Sequence, residues 1–176
     1  MERRTVKVFL DSNVILSGLI SDRGAPRLIL DILSLGLPVL RGVTGRYNLT
    51  EIERNVAGKL PAARSVLNEC LPRMNLEIVF LPFSDEMEPF RGAAEDKDLP
   101  VIASASIARA DYFVSEDEPL LSRLGRAVSF PARPCRPNEF LKELSVRVFT
   151  GEMPGEESHD RPKWRGSTDA ADGKTR

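Results

Sequence analysis

Five short strand-like runs, each separated from the next by a helical pattern, set the fold class of this 176-residue chain. The runs are Val6–Leu10, Pro38–Leu40, Glu77–Leu81, Tyr112–Val114 and Val128–Phe130. Between them, Ala25–Leu35 places apolar residues at Leu28, Ile32 and Leu35, with Pro26 near its start and Gly36 just past its end. Those are helix start and stop signals. Further helices are expected over Leu49–Val56, over Ala62–Met74 with Pro72 ending it early, and over Leu99–Ala110. The last of these is rich in Ala and Ser, which lets a helix pack closely on a sheet. Strands alternating with helices of this length predict an α/β/α sandwich around a mostly parallel five-stranded sheet.

The first run ends in a carboxylate. Val6-Lys7-Val8-Phe9-Leu10 leads directly into Asp11-Ser12-Asn13. In a parallel sheet every strand delivers its C-terminal end to one edge, and ligands bind there. Asp98 opens the small-residue helix and Asp117 follows the Tyr112–Val114 run, so both belong to the same edge. Glu51, on the helix after the second strand, can reach in. Adjacent strands lie about 4.8 Å apart, which brings strand-end carboxylates towards one point.

The rest of the chain leaves such a cluster little competition for chemistry. The single histidine, His159, and the single tryptophan, Trp164, lie after Thr150, in a polar stretch without apolar periodicity. The expected division is therefore a domain over 1–149 and a disordered polar tail over 150–176. A core without histidine excludes Ser-His-Asp and Cys-His catalysis and His-based zinc sites. Cys70 and Cys135 form no CxxC pair and fit a reducing cytoplasm. The opening strand is too short for a signal-peptide core, and no run approaches the roughly 18 apolar residues of a membrane span. A cytoplasmic protein without membrane attachment is expected. The net charge of −1 announces no polyanionic partner, although a local basic rim can coexist with it.

Clustered carboxylates repel: two charges about 4 Å apart cost roughly 4 kcal/mol at an effective dielectric near 20. A divalent cation relieves this. Oxygen-only ligands favour a hard ion, Mg²⁺ or Mn²⁺, and Mg²⁺ keeps waters and binds phosphates. Metal-activated hydrolysis of a phosphodiester is the natural use of such a site. Each residue also has a plainer role open to it. Asp11, Asp98 and Asp117 could each cap the following helix, and Glu51 could be a solvated charge.

The ordered set resembles the PIN-domain family of metal-dependent ribonucleases over about residues 5–145. The resemblance rests on Asp11-Ser12-Asn13, on Glu51, on Lys97-Asp98-Leu99-Pro100-Val101-Ile102, and on Ser115-Glu116-Asp117 within Ala110–Leu121. Arg136-Pro137-Asn138-Glu139-Phe140-Leu141 adds to it. Ser17-Gly18-Leu19 and Gly24-Ala25-Pro26 look like the branch of toxins from toxin–antitoxin pairs, the VapC-like ribonucleases.

The resemblance implies an endoribonuclease that cuts RNA with Mg²⁺ or Mn²⁺. Asp11, Glu51, Asp98 and Asp117 would be its metal-binding acids. Asn13 would position Asp11, and Ser115 would contact a metal-bound water or the substrate phosphate. A cognate antitoxin would be its partner, with a homodimer also open. Ser115 stands where Thr is usual, and Glu116 replaces a common Gly, adding charge that could hold a second metal or hinder RNA. Asp96 is a second claimant for the role of Asp98. Arg41, Arg46, Lys59 and Arg64 are candidates for an RNA-facing rim. The alternative is a PIN fold kept as an RNA- or protein-binding module with little or no nuclease activity. Receiver, phosphatase-like and nucleotide-binding readings lack their second acids or a Gly-rich loop.

Overall fold

The structure, a computed structural model, describes residues 4–127 and 129–150. The expected tail and its boundary near residue 150 lie outside the described residues, apart from Thr150 at the end of the last helix. Among the described residues, five strands form one sheet: β1 (Val6–Leu10), β2 (Leu40–Gly45), β3 (Glu77–Val79), β4 (Tyr112–Val114) and β5 (Arg133–Cys135). Their order is β3-β2-β1-β4-β5, and every pairing is parallel rather than most of them. β1 is the central strand, with Phe9 opposite Val43 of β2 and Phe113 of β4.

Side chains alternate across the sheet with the strand period of two. Val6, Val8, Leu10, Tyr112 and Val114 join one buried cluster, with Ile29, Leu33 and Phe140. Phe9, Val43 and Phe113 join the other, with Ile102, Ala103 and Leu120. The first cluster is closed by α1 (Ser12–Ile20), α2 (Ala25–Ser34), α3 (Arg46–Lys59), α4 (Arg64–Arg73) and α8 (Pro137–Thr150). A short helix α5 (Ser84–Met87), then α6 (Leu99–Ile107) and α7 (Glu118–Leu124), lies with the second. A sheet covered on both faces explains why β1 reads as a nearly continuous apolar run. Its one charge, Lys7, reaches Glu77 at 3.1 Å.

Four sequence expectations are corrected, the third strand being Glu77–Val79 and not Glu77–Leu81. The second strand runs over Leu40–Gly45, not Pro38–Leu40. Its two glycines hide the pattern, yet Gly42 has no room for a side chain: a Cβ there would lie 2.5 Å from Leu76 Cδ2 and 2.9 Å from Leu33 Cδ1. The fifth strand is Arg133–Cys135, not Val128–Phe130. Pro134 is tolerated because β5 is an edge strand. Phe130 is buried without being in a strand, set edge-on against Phe113 and Phe90; Val128 lies outside the described residues. Pro72 does not stop the fourth helix early, since α4 continues to Arg73. Among the described residues, no helix is long and apolar enough to cross a membrane.

Candidate functional site

Parallel pairing brings the ends of β1 and β4 to the same edge, hydrogen-bonded to each other through Asp11 N and the Val114 carbonyl at 3.0 Å. Asp11 therefore sits between its own helix and the Ser115-Glu116-Asp117 turn. Only 6% of its surface is exposed. Its Oδ1 accepts from the Ser12 amide at 2.7 Å and from Asn48 Nδ2 at 3.1 Å. Its Oδ2 accepts from the Ser115 hydroxyl at 2.6 Å and from Asn13 Nδ2 at 3.1 Å. Four donors thus hold one carboxylate.

The two turns are also tied to each other. Asn13 donates to Ser115 Oγ at 3.1 Å and accepts from the Glu116 amide at 3.1 Å. Ser115 Oγ accepts in turn from the Asp117 amide at 3.1 Å. Asn13 thus bridges the Asp11 carboxylate and the Ser115-Glu116-Asp117 turn. Ser115 is wholly buried behind Asp11, so its hydroxyl braces that carboxylate and does not face the cleft.

Asp11, Glu51, Asp98 and Asp117 all line one open cleft of about 510 Å³. Glu51 is joined to the Asp11 turn by the Ser12 hydroxyl, which donates to Glu51 Oε2 at 2.5 Å. Asp117 also caps α7, accepting from the Leu120 amide at 2.9 Å. Asp11 caps α1 through the Ser12 amide, so for these two residues the capping role and the cleft role coexist. Asp98 makes no side-chain cap on α6. It is half-buried in the cleft wall, whereas Asp96 is exposed and does not line the cleft.

Burial pushes the Asp11 carboxyl up from 3.8 to about 6. The Ser115 and Ser12 bonds pull the other way, while the charges of Glu51 and Asp117 add to the rise. Asp98 is raised by its partial burial, against the pull of Lys97, with Asp117 and Glu95 adding. These groups therefore feel one another across the cleft.

Of the cations expected at the rim, only Lys59 lines the cleft. Arg41 lies near Glu77 at 4.0 Å, and Arg64 lines a separate groove between α3 and α4. Arg46 is exposed at the start of α3. Lys97 lines the cleft as well, paired with Glu95 at 3.1 Å. Glu116 is turned out of the cleft, accepting from the Ser17 hydroxyl at 2.5 Å. Two contributors escaped the sequence reading: Ser12 as the bridge to Glu51, and Asn48 as a donor to Asp11. Asn48 is a polar residue at a core-facing position of α3, a signal that hydrophobic periodicity contains but does not interpret.

The donor set suits a hard cation, being all oxygen, with the described cysteines Cys70 and Cys135 lying elsewhere. Among the described residues no group of three such side chains is drawn close enough to ring an ion. Mg²⁺ does not need such a ring, since it keeps several waters and is commonly held through one or two carboxylates. An ion touching Asp11 directly would displace one of its four donors; contact through water would not.

No family model matches the sequence, and no curated protein matches it. Solved structures do. The chain is similar to one in the crystal structure of VapBC2 from Rickettsia felis bound to a DNA fragment from their promoter. The TM-score is 0.57 at 15% identity, covering 74% of this chain and 98% of that one. It is also similar to a chain of VapBC-1 from nontypeable Haemophilus influenzae, with a TM-score of 0.51 at 15% identity. That match covers 76% of this chain and 99% of the other. Identity at this level shows the fold alone, which this chain shares with those two chains.

Proposed function

We propose that this protein is a Mg²⁺- or Mn²⁺-dependent endoribonuclease, the toxin of a toxin–antitoxin pair. The observation that carries the reading is the meeting of four carboxylates from four separate segments in one cleft, with Asp11 held above its ordinary carboxylate range by burial and by two of the others. Four carboxylates lining one cleft make its field negative and attract a cation to it. When bound, the ion would supply an activated water and neutralise charge on a phosphodiester.

The chain's own residues do the rest. Asp11, Glu51, Asp98 and Asp117 would hold the ion. Asn13 and Ser115 keep Asp11 in one orientation. Ser12 keeps Glu51 beside it. Lys59 and Lys97 would attract the RNA backbone towards the cleft. The toxin part rests on the likeness in fold to chains of two VapBC structures.

The test is cleavage of RNA by the purified protein with Mg²⁺ or Mn²⁺, with and without chelator. Cleavage should need the metal and should vanish in Asp11→Asn. Metal-independent cleavage, or an Asp11→Asn variant as active as the parent, would sink the mechanism. Expression alone should arrest growth, and co-expression of a small partner encoded beside it should relieve the arrest. Harmless expression of a protein that cuts RNA in vitro would remove the toxin role. One observation favours the alternative of a binding module: both Asp11 oxygens already accept two donors each. RNA binding without metal-dependent cleavage would decide for it.

A further inference from the structure

Asn48 is wholly buried in the first turn of α3. Its Nδ2 donates to Asp11 Oδ1 at 3.1 Å, while its own Oδ1, equally buried, accepts no hydrogen bond. A half-satisfied amide is a poor way to fill a core. A leucine there would bury no acceptor, and an unmet buried acceptor costs its full desolvation. Asn48 does not serve the helix end either, because α3 begins after Gly45 without a side-chain cap. The turn is instead kept clear for it: a Cβ on Gly45 would lie 2.8 Å from Asn48 Oδ1.

The other donors to Asp11 come from the turn after β1 and from the turn after β4. Asn48 is the donor that comes from α3, the helix that carries Glu51. It precedes Glu51 by three residues, so both side chains lie on one face of that helix. The Asn48 bond and the Ser12 bond to Glu51 therefore connect the same two segments from both directions.

We propose that Asn48 is a positioning residue for the metal chemistry of this cleft: its amide locks α3 to Asp11 and so sets the separation between Asp11 and Glu51. This inference rests on the metal-dependent reading of the site. Losing the lock would remove one of the two side-chain bonds that join the Asp11 turn to α3. Outer-shell partners of this kind typically govern about 10- to 100-fold in metal affinity or activity.

The experiment compares Asn48→Leu and Asn48→Ala with the parent in three measurements. These are Mn²⁺ affinity by calorimetry without RNA, kcat and KM for RNA cleavage, and metal-free thermal melting. Mn²⁺ affinity and kcat should fall by about 10- to 100-fold, with KM for RNA within about twofold of the parent. The Leu variant should melt at or above the parent's temperature, because the unmet acceptor is gone. A folded variant with the parent's Mn²⁺ affinity would overturn the role, whatever its kcat. So would failure of both variants to fold, which would make Asn48 structural. A parent that binds no Mn²⁺ would remove the reading of the site itself, and this role with it.

Discussion

The Ser115 hydroxyl donates to Asp11 Oδ2 at 2.6 Å while accepting from the Asn13 side chain and the Asp117 amide, each at 3.1 Å. One buried oxygen thus connects the turn after β1 to the turn after β4. Ser115→Ala should leave Asn13 Nδ2 and the Asp117 amide short of an acceptor. Each net hydrogen bond is worth about 1 kcal/mol, and an orphaned buried donor costs about 1–3 kcal/mol. We expect a loss of about 2–4 kcal/mol by urea denaturation, summed from those figures. A loss below about 0.5 kcal/mol would show that water replaces the hydroxyl at no cost.

The Asp11 carboxyl predicts a pH signature in the metal-free protein. Its folded value of about 6 lies above the ordinary 3.8, so the protonated form is favoured by folding. The stability it contributes is complete below about pH 4 and is lost as pH rises through 6. Two units correspond to about 3 kcal/mol. Asp11→Asn carries no such titration. The stability difference between parent and variant should therefore shift by about 2.5 kcal/mol between pH 4 and pH 7.5, to the parent's disadvantage at the higher pH. Parallel urea midpoints across that range would remove the coupling. Saturating Mn²⁺ should shrink the shift, because the ion favours the ionised form.

Asp98 and Asp96 make a paired test. Asp98 lines the cleft and Asp96 is exposed outside it. Asp98→Asn should cost more than the about 10- to 100-fold typical of an outer-shell partner in RNA cleavage. Asp96→Asn should stay within about twofold. Equal losses would mean that the two acids share the site.

Much of the fold was readable because β1 and β4 are buried on both faces and say so in their residues, Val6-Lys7-Val8-Phe9-Leu10 and Tyr112-Phe113-Val114. β2 was misplaced for a physical reason. Gly42 and Gly45 are selected by what packs against them, Leu33, Leu76 and Asn48, and not by strand propensity. β5 hides because an edge strand can consist of Arg133-Pro134-Cys135. Within the candidate site, parallel topology alone predicted that Asp11, Asp98 and Asp117 would share an edge. Asn48 and Ser12 could not be assigned, since their roles lie in which neighbour a side chain reaches.

Glu116 stands next to the cleft in sequence but not in space. Its carboxylate is taken by the Ser17 hydroxyl, and its amide by Asn13 Oδ1. Glu116→Ala keeps the amide and loses only the carboxylate. Mn²⁺ affinity should stay within about twofold of the parent by calorimetry, because an exposed charge facing away is screened by solvent. A tenfold drop would bring Glu116 into the metal site.

Gly45→Ala tests the space around Asn48 without removing any polar group. The backbone at Gly45 is extended, with φ −94° and ψ 152°, so alanine fits the chain itself. Its Cβ would instead meet Asn48 Oδ1 at 2.8 Å and Ser104 Oγ at 3.1 Å. Asn48 is the more exposed to displacement, because Ser104 is anchored on Pro100 by a 2.7 Å bond. Overpacking of this kind costs about 1–3 kcal/mol. We expect that loss in urea denaturation, together with a fall in Mn²⁺ affinity in the same direction as Asn48→Leu. In the Asn48→Ala background the contact with Oδ1 no longer exists, so the same glycine substitution should then cost much less. Two groups in contact couple in this way, and independent sites add. Strict additivity of the two substitutions, in both stability and Mn²⁺ affinity, would show that Gly45 and Asn48 act separately.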